Sequence, residues 1–247
     1  NEIVEQFGGW RTGKSRYLFR RRLEAALPHL PEAGRVLDAG CGDIETRHLL
    51  ETLRPGLDVV CCDLSRLSGP GAARADVQAL PFAERSFDAV LLRAVLEHVP
   101  SHEDALAEAR RVLRPGGVLV ITTPNPLFGL PMALAGKIGL KYREGYDHGI
   151  SLRRLAQMVR EAGLVVEREA GFLLAPFATP LDGVESFLGR RPVLRSVLLN
   201  QLLVARRADR DRGLIAVMRP QRTRDETARV QLPDHRHDGD AQHRHEH

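Results

Sequence analysis

The sequence predicts an α/β protein in which helices cover both faces of a doubly wound, mostly parallel sheet. Apolar runs typical of buried strands alternate with amphipathic helical patterns from Arg35 to Thr122. A strand, a Gly-x-Gly turn and the start of a helix follow one another in residues 36–50. A second strand ends in an acid about twenty residues beyond the glycines, which is typical of a nucleotide-binding βαβ unit.

Length and composition predict one domain and a tail. The 247 residues comprise 43% apolar and 28% charged residues, which excludes a wholly disordered chain. We expect one domain over residues 1–220, and a disordered tail rich in His, Arg and Asp over 221–247, because the tail has too little apolar surface to fold. The net charge of +4 is a weak indication of a nucleic-acid partner.

The cysteines and the apolar segments indicate a cytoplasmic protein without a metal site. Cys41, Cys61 and Cys62 lack the spacing of metal ligands and are expected to be reduced core thiols. The longest apolar segments, 127–140 and 193–205, are interrupted by Gly, Pro or polar residues and are too short to span a bilayer.

The turn at Gly40 and Gly42 is the predicted ligand site. Glycine permits positive φ and a close approach to the backbone, and the free N–H groups at a helix start attract an anionic group such as a nucleotide phosphate or an amino-acid carboxylate. The alternative is an ordinary βα turn. Asp63, at the end of the second strand, is placed to accept both hydroxyls of a ribose. Its alternative role is to cap the next turn.

The N-terminal helix, predicted for residues 14–27, carries Leu18, Phe19 and Leu23 on one side. Four arginines occupy much of the remainder, at positions 16, 20, 21 and 22. We interpret them as a solvated face in preference to a nucleic-acid contact.

Further strands and helices follow in alternation. Serine caps are predicted for two helices, at Ser101 with Asp104, and at Ser151 for a helix to Ala162. Residues 181–207 have mostly helical spacing, and 213–218 is the expected last strand, with 202–206 as the alternative. The other predicted strands are 35–39, 57–63, 72–75, 87–92, 118–122 and a strand that starts at 164.

Residues 124–150 form a long apolar connection at the carboxyl edge of the sheet, where ligands bind and lids form. We interpret it as a substrate cover, with a pair of packing helices as the alternative. His148, at its end, and His98 are the candidate general bases, because neutral histidine titrates in the useful pH range. A structural role is the favoured alternative for each of the two histidines.

The motifs together resemble class I S-adenosylmethionine-dependent methyltransferases, most closely the type 11 branch of ubiquinone/menaquinone C-methyltransferase-like enzymes. The resemblance covers about Arg35 to Val166. It rests on the following segments in this order: Val36–Gly42, Asp63–Ser65, Asp76–Val77, Leu80–Phe82, Ser86–Val90, Leu96–His98, Leu113–Gly117 and His148.

The resemblance implies a Rossmann-like sheet of order 3-2-1-4-5-7-6, with only the seventh strand antiparallel. It also implies S-adenosyl-L-methionine as the cofactor. Asp38 would order the glycine turn, while Gly40, Cys41 and Gly42 would meet the methionine part. The adenosine would contact Asp63, Leu64, Asp76 and Val77, and the Arg93 backbone would face the methionine amino group.

Two residues depart from the family pattern. Ile44 stands where a third glycine is usual, and a β-branched residue does not readily take positive φ. Arg93 is bulkier than the small polar residue often found at its position.

The implied reaction is in-line methyl transfer to a small, hydrophobic acceptor. The alternatives are a nucleic-acid methyltransferase, which would use the arginine-rich helix, a nicotinamide dehydrogenase, disfavoured by Glu45 at a glycine position, and a non-catalytic cofactor-binding relative.

Overall fold

The computed structural model describes residues 13–42, 44–65, 69, 71–128, 149–172 and 198–208. The helices are α1 (Gly13–Ala26), α2 (Glu45–Leu53), α3 (His102–Val112) and α4 (Leu152–Glu161). The strands are β1 (Ala33–Ala39), β2 (Gly56–Asp63), β3 (Ala72–Arg74), β4 (Phe87–Arg93), β5 (Leu113–Pro124), β6 (Leu164–Phe172) and β7 (Asn200–Arg207). Short 3₁₀ turns lie at Leu27–His29, Leu96–His98 and Pro126–Phe128.

The strands form one seven-stranded sheet of order β3-β2-β1-β4-β5-β7-β6, which confirms the predicted order. The pairs from β3 to β5 are parallel, whereas β7 is antiparallel to both of its neighbours, β5 and β6. Because Asn200 of β7 pairs with Pro124 of β5, the beginning of β7 lies at the same edge of the sheet as the carboxyl ends of the parallel strands.

Side-chain alternation along the strands divides the core into two layers. Leu37, Val90 and Leu119 point to the face covered by α3 and α4. Val36 and Leu91 point to the opposite face, which is covered by α1 and α2. Both faces of the central strands are therefore buried, as is typical of a parallel sheet within a doubly wound fold.

The two predicted serine caps are confirmed. Ser101 Oγ accepts a hydrogen bond from the Asp104 N–H at 3.2 Å, and Ser151 Oγ accepts from the Arg154 N–H at 3.3 Å. Each serine thereby satisfies one of the N–H groups that a helix leaves free at its first turn.

The helical interpretation of the end of segment 181–207 is wrong, because Asn200–Arg207 is strand β7. Five consecutive residues, 201–205, are buried, since both faces of this central strand are covered. The apolar spacing that resembled a helix is thus that of a strand buried on both sides. The alternative strand, 202–206, is the one that the structure contains.

Several predicted segments lie outside the described residues: most of the cover (129–148), the expected strand 213–218 and the tail 221–247. The domain boundaries therefore remain predictions. None of the described helices combines the length and apolar character that crossing a bilayer requires.

Candidate functional site

The carboxyl edge of the sheet brings most of the predicted site residues together. Asp38 and the glycine turn follow β1, and Asp63 ends β2. Asp76 comes two residues after β3, and Arg93 ends β4. Parallel pairing aligns these strand ends, and the Ala75 N–H donates to the Asp63 carbonyl at 2.9 Å.

The glycine turn takes the conformation for which glycine is needed. Gly40 and Gly42 have φ values of 76° and 74°, in the left-handed region. The N–H groups of Gly40 and Cys41 donate to the Cys62 carbonyl at 2.7 and 3.1 Å, which fastens the turn to β2. A Cβ atom on Gly42 would have no heavy atom of the described residues within 4 Å, so these residues leave space open beside it.

Ile44 fits this turn without strain. Its φ is −85°, and it forms the N-cap position of α2 without a side-chain hydrogen bond. Ile44 replaces the usual glycine at a position whose backbone conformation any residue can adopt. The positive φ values that the turn needs are supplied by the two glycines present.

The Arg93 side chain forms a buried network beneath the glycine turn. Its Nη2 donates to Asp38 Oδ2 at 2.7 Å and to Thr46 Oγ1 at 2.6 Å, while its Nε donates to Asp38 Oδ1 at 3.2 Å. The guanidinium carbon also lies 4.8 Å from the centroid of the Phe19 ring on α1. Asp38 precedes the turn and Thr46 follows it, so one guanidinium braces both sides of the turn.

Sequence reasoning did not find this network, because it assigned a role only to the Arg93 backbone. Asp38 and Thr46 are both fully buried, and Arg93 is nearly so. Burial by itself lowers the Arg93 pKa, but the Asp38 charge and its hydrogen bonds outweigh this effect and raise that pKa above its ordinary value. The Arg93 guanidinium is therefore positively charged at all physiological pH values.

The buried thiols lie close to this ion pair. Ligand atoms of Asp38, Cys41 and Cys61 lie within 4.8 Å of one another, which is a spacing that could suit a metal ion. However, both Asp38 oxygens accept hydrogen bonds from Arg93. A hydrogen bond with Cys61 and then burial raise the pKa of Cys41, and burial raises that of Cys62 to about 12, which keeps both thiols protonated. The guanidinium thus supplies the positive charge at this location.

Asp63 joins the glycine turn to the end of β2. Its Oδ2 accepts from the Gly42 N–H at 2.8 Å, and its Oδ1 accepts from the N–H and hydroxyl of Ser65 at 2.9 and 2.7 Å. The capping role considered from the sequence is therefore real. A carboxylate can accept about four hydrogen bonds, so Asp63 keeps room on Oδ2 for one further donor. The adjacent Leu64 is 56% exposed, with an apolar surface against which a flat ring could lie.

Asp76 and Val77 lie on the turn after β3. Asp76 Oδ1 accepts from the Gln78 backbone N–H at 2.9 Å and from its side-chain amide at 3.1 Å. Gln78 in turn accepts from the Ser101 N–H at 2.8 Å, which ties this turn to the start of α3. Val77 is buried. The turn is therefore held in place from two sides.

Of the two candidate bases, only His98 lies within the described residues. His98 is half-buried in the 3₁₀ turn that follows β4. His148 lies outside the described residues. Its role as a base remains a prediction.

Comparison with known proteins identifies the family. A protein-family model described as "Methyltransferase domain" matches residues 10–169, which is well over half of the chain. The chain belongs to the methyltransferase domain family. This match and the sheet order together confirm the resemblance to class I S-adenosylmethionine-dependent methyltransferases.

Two curated relatives show the range of the family. A ubiquinone/menaquinone biosynthesis C-methyltransferase of Dinoroseobacter shibae is 35% identical over 169 residues, covering 53% of this chain and 66% of the relative. A malonyl-[acyl-carrier protein] O-methyltransferase of Enterobacter lignolyticus is 37% identical over 118 residues, covering 43% of this chain and 46% of the relative. The chain thus matches less than two thirds of the length of these curated relatives.

A solved structure from Thermotoga maritima shows the same fold. This S-adenosylmethionine-dependent methyltransferase, described as a possible histamine N-methyltransferase, superposes with a TM-score of 0.58 at 17% identity. The superposition covers 83% of this chain and 97% of the other. At this identity, the likeness concerns the fold alone.

Proposed function

We propose that this chain transfers the methyl group of S-adenosylmethionine to a small, apolar organic acceptor by in-line displacement. The observation that carries the proposal is the glycine turn, which has two positive-φ glycines, open space beside Gly42 and a bridge to Asp63. Family membership supports the same cofactor. The curated relatives include a C-methyltransferase and an O-methyltransferase, so either atom is a reasonable acceptor.

The residues present fit the cofactor in distinct roles. The turn from Gly40 to Gly42 would hold the methionine part, with Asp38 acting through Arg93 to keep the turn in shape. Asp63 Oδ2 would accept one ribose hydroxyl, and a second would require the Ser65 hydroxyl to turn away from Oδ1. Leu64, Asp76 and Val77 would contact the adenine, and the Arg93 carbonyl would face the amino group.

When bound, the cofactor supplies an activated methyl group on a sulfonium, so the protein mainly has to align the reactants and exclude water. Alignment of this kind can contribute roughly 7 to 11 kcal/mol. A hydroxyl acceptor would also need a base, for which His148 is proposed because it ends the predicted cover. Full turnover in a His148→Ala variant would contradict that role.

Calorimetric titration with S-adenosylhomocysteine tests the proposal without knowledge of the acceptor. We expect saturable one-to-one binding, and an Asp63→Asn variant should bind about ten- to a hundred-fold more weakly, because a hydrogen bond to a charged group contributes about 1.5 to 3 kcal/mol. Asp58→Asn is the matched control, since Asp58 lies on the same strand with its side chain exposed and paired with Arg35 at 3.2 Å.

Three other outcomes would each point to a different conclusion. Absence of binding to the wild-type chain would refute the cofactor assignment. Binding without methyl transfer to a broad panel of acceptors would favour a non-catalytic relative. A steep salt-dependent affinity for RNA would favour a nucleic-acid acceptor.

A further inference from the structure

A buried arginine on α1 has no anionic partner in the part of the chain that the structure describes. Arg22 is 8% exposed, and its Nε donates to Asn200 Oδ1 at 3.1 Å. Among the described residues, no carboxylate pairs with this guanidinium; the neighbouring Arg20 and Arg21 instead pair with Glu24 on a more exposed part of the helix. A buried charge is costly unless it is paired. Among the described residues, no negative charge compensates the positive charge that Arg22 places in the interior.

The interpretation of Arg22 as part of a solvated face is wrong, and the sequence contained the signal against it. Arg22 follows Leu18 by four residues and Phe19 by three, and it precedes Ala26 by four. This spacing places it on the apolar side of the helix. Arginine at such a position is buried with its charge, which costs stability unless the charge has another use.

A second unsatisfied polar group lies on the same face of the sheet. Thr122, near the end of β5, is fully buried, and its hydroxyl has no hydrogen-bond partner within the described part of the chain. Thr122 pairs with Leu202, two residues from Asn200 along β7, so the Thr122 and Asn200 side chains point to one face as diagonal neighbours. Asn200 is the partner of Arg22, which brings the cation and the free hydroxyl into one region.

This region adjoins the proposed cofactor site. Phe19, one turn before Arg22 on α1, covers the Arg93 guanidinium at the end of β4. Helix α1 thus passes from β4, beside the glycine turn, to the start of β7. Asp63 and Asp76, which would hold the adenosine, lie on the other side of the glycine turn in the sheet order, so we place the acceptor on the side of β4, β5 and β7.

We infer that Arg22 and Thr122 form a subsite for a carboxylate of the acceptor, beneath α1 at the end of β5 and the start of β7. This inference rests on the proposed function. One uncompensated positive charge matches the single negative charge of a carboxylate better than the greater charge of a phosphate. With Nε held by Asn200, the two terminal nitrogens of Arg22 keep their planar N–H groups for the ligand.

The methionine carboxylate of the cofactor is the other carboxylate that Arg22 could bind. The distance between Arg22 and the glycine turn argues against it. The glycine turn follows β1, whereas Asn200 begins β7, three strands away in the sheet order. Neighbouring strands lie about 4.8 Å apart, which separates the two locations by roughly 14 Å. Arg22 is therefore better placed for a second ligand than for the methionine part.

The test compares carboxylates with their neutral counterparts. Benzoate and octanoate are titrated calorimetrically against benzyl alcohol and 1-octanol, with and without saturating S-adenosylhomocysteine. We expect at least one carboxylate to bind the wild-type chain tenfold or more tightly than its alcohol. Arg22→Met should abolish this preference, and Arg22→Lys should keep part of it. Arg20→Met, on the more exposed part of α1, is the control and should leave the preference unchanged.

Further readouts separate this inference from its alternatives. The melting temperature of Arg22→Met should equal or exceed that of the wild type, because the variant removes an uncompensated buried charge. A wild-type chain without carboxylate preference, or a preference that persists in Arg22→Met, would overturn the inference. So would a tenfold loss of S-adenosylhomocysteine affinity in Arg22→Met with unchanged affinity for 5′-methylthioadenosine, which lacks the carboxylate.

The titrations without S-adenosylhomocysteine distinguish a failure of the carboxylate subsite from a failure of the proposed methyltransferase function. If the wild-type chain does not bind that compound, the proposed function fails. The carboxylate preference and its dependence on Arg22 are then still decided by the titrations without it.

Discussion

The ion pair between Arg93 and Asp38 shows how one residue shapes the candidate site. Both side chains are removed from water, so the pair is maintained by its geometry: two hydrogen bonds join the groups, and a third reaches Thr46. A buried pair of this kind adds little more to the free energy of unfolding than an apolar pair of equal size would. The loss of one partner, however, leaves the charge of the other buried and unpaired. The network therefore favours one conformation of the glycine turn.

Replacement of Arg93 by Met should lower the free energy of unfolding by about 3 to 5 kcal/mol, because it leaves the Asp38 charge buried and unpaired. The double variant Asp38→Asn/Arg93→Met should recover a substantial part of this loss. Urea denaturation of the two single variants and the double variant measures the coupling.

Arg114→Met is the control for this cycle, because Arg114 also pairs with an aspartate, Asp88, but its side chain is 46% exposed. It should cost less than about 1 kcal/mol. If Arg93→Met lowers the free energy of unfolding no more than the control does, the Asp38 charge is not left unpaired in the interior by the loss of Arg93.

At the scale of the element, the glycine turn owes its form to two backbone positions. Both glycines have positive φ, but their surroundings differ. A Cβ atom on Gly40 would collide with the Val95 side chain, whereas one on Gly42 would meet open space. The same substitution at the two positions therefore separates backbone strain from steric collision.

Gly42→Ala should destabilise the protein by about 1 to 2 kcal/mol, which is the cost of placing a residue with a Cβ atom in the left-handed region. Gly40→Ala adds the collision with Val95 and should cost more, with a larger loss of S-adenosylhomocysteine affinity. Thermal unfolding and calorimetry on both variants check this order. Equal effects at the two positions would show that Val95 moves aside freely.

Most helices and strands were predictable from local patterns. Helix caps, turn residues and the alternation of apolar and polar residues each depend on positions only a few residues apart. The starts of α3 and α4 follow from Ser101 and Ser151 in this way. Strand β7 did not follow, because leucines at three- and four-residue spacing are compatible with a helix or with a strand buried on both faces. The distinction depends on β5 and β6, which pair with β7 on either side.

At the scale of the whole molecule, His29 couples the end of the N-terminal segment to β6. It lies in the 3₁₀ turn that follows α1. Burial, followed by the charge of Arg168 on β6, lowers the pKa of His29 from 6.5 to about 4, although Glu167 opposes this shift. The folded chain therefore keeps this imidazole neutral over a range in which the unfolded chain protonates it.

This difference predicts a pH-dependent stability. Above pH 6.5 the contribution of neutral His29 is fully present, and it is lost as the pH falls toward about 4. After allowance for the partial exposure of the side chain, the loss is about 1 to 2 kcal/mol. A His29→Gln variant should therefore gain stability relative to the wild type between pH 7 and pH 4.5, as measured by urea denaturation.

His48→Gln, an exposed position on α2, is the control for this comparison. The gain of His29→Gln between pH 7 and pH 4.5 should exceed any change that His48→Gln shows over the same range. A difference from the wild type that does not change with pH would mean that His29 titrates alike in the folded and unfolded chains.

The sequence by itself determined the α/β class, the sheet order through its resemblance to a family, and the glycine turn with Asp63 and Asp76 at neighbouring strand ends. The class and the glycine turn follow from short-range patterns of apolar residues, glycines and caps, whereas the sheet order was implied by the family resemblance alone. Only the tertiary structure decided that Arg93 pairs with Asp38, that Arg22 lies buried beside Asn200, and that residues 200–207 form a strand. In each case the deciding partner is distant along the chain, and burial and charge compensation depend on which elements the fold places side by side.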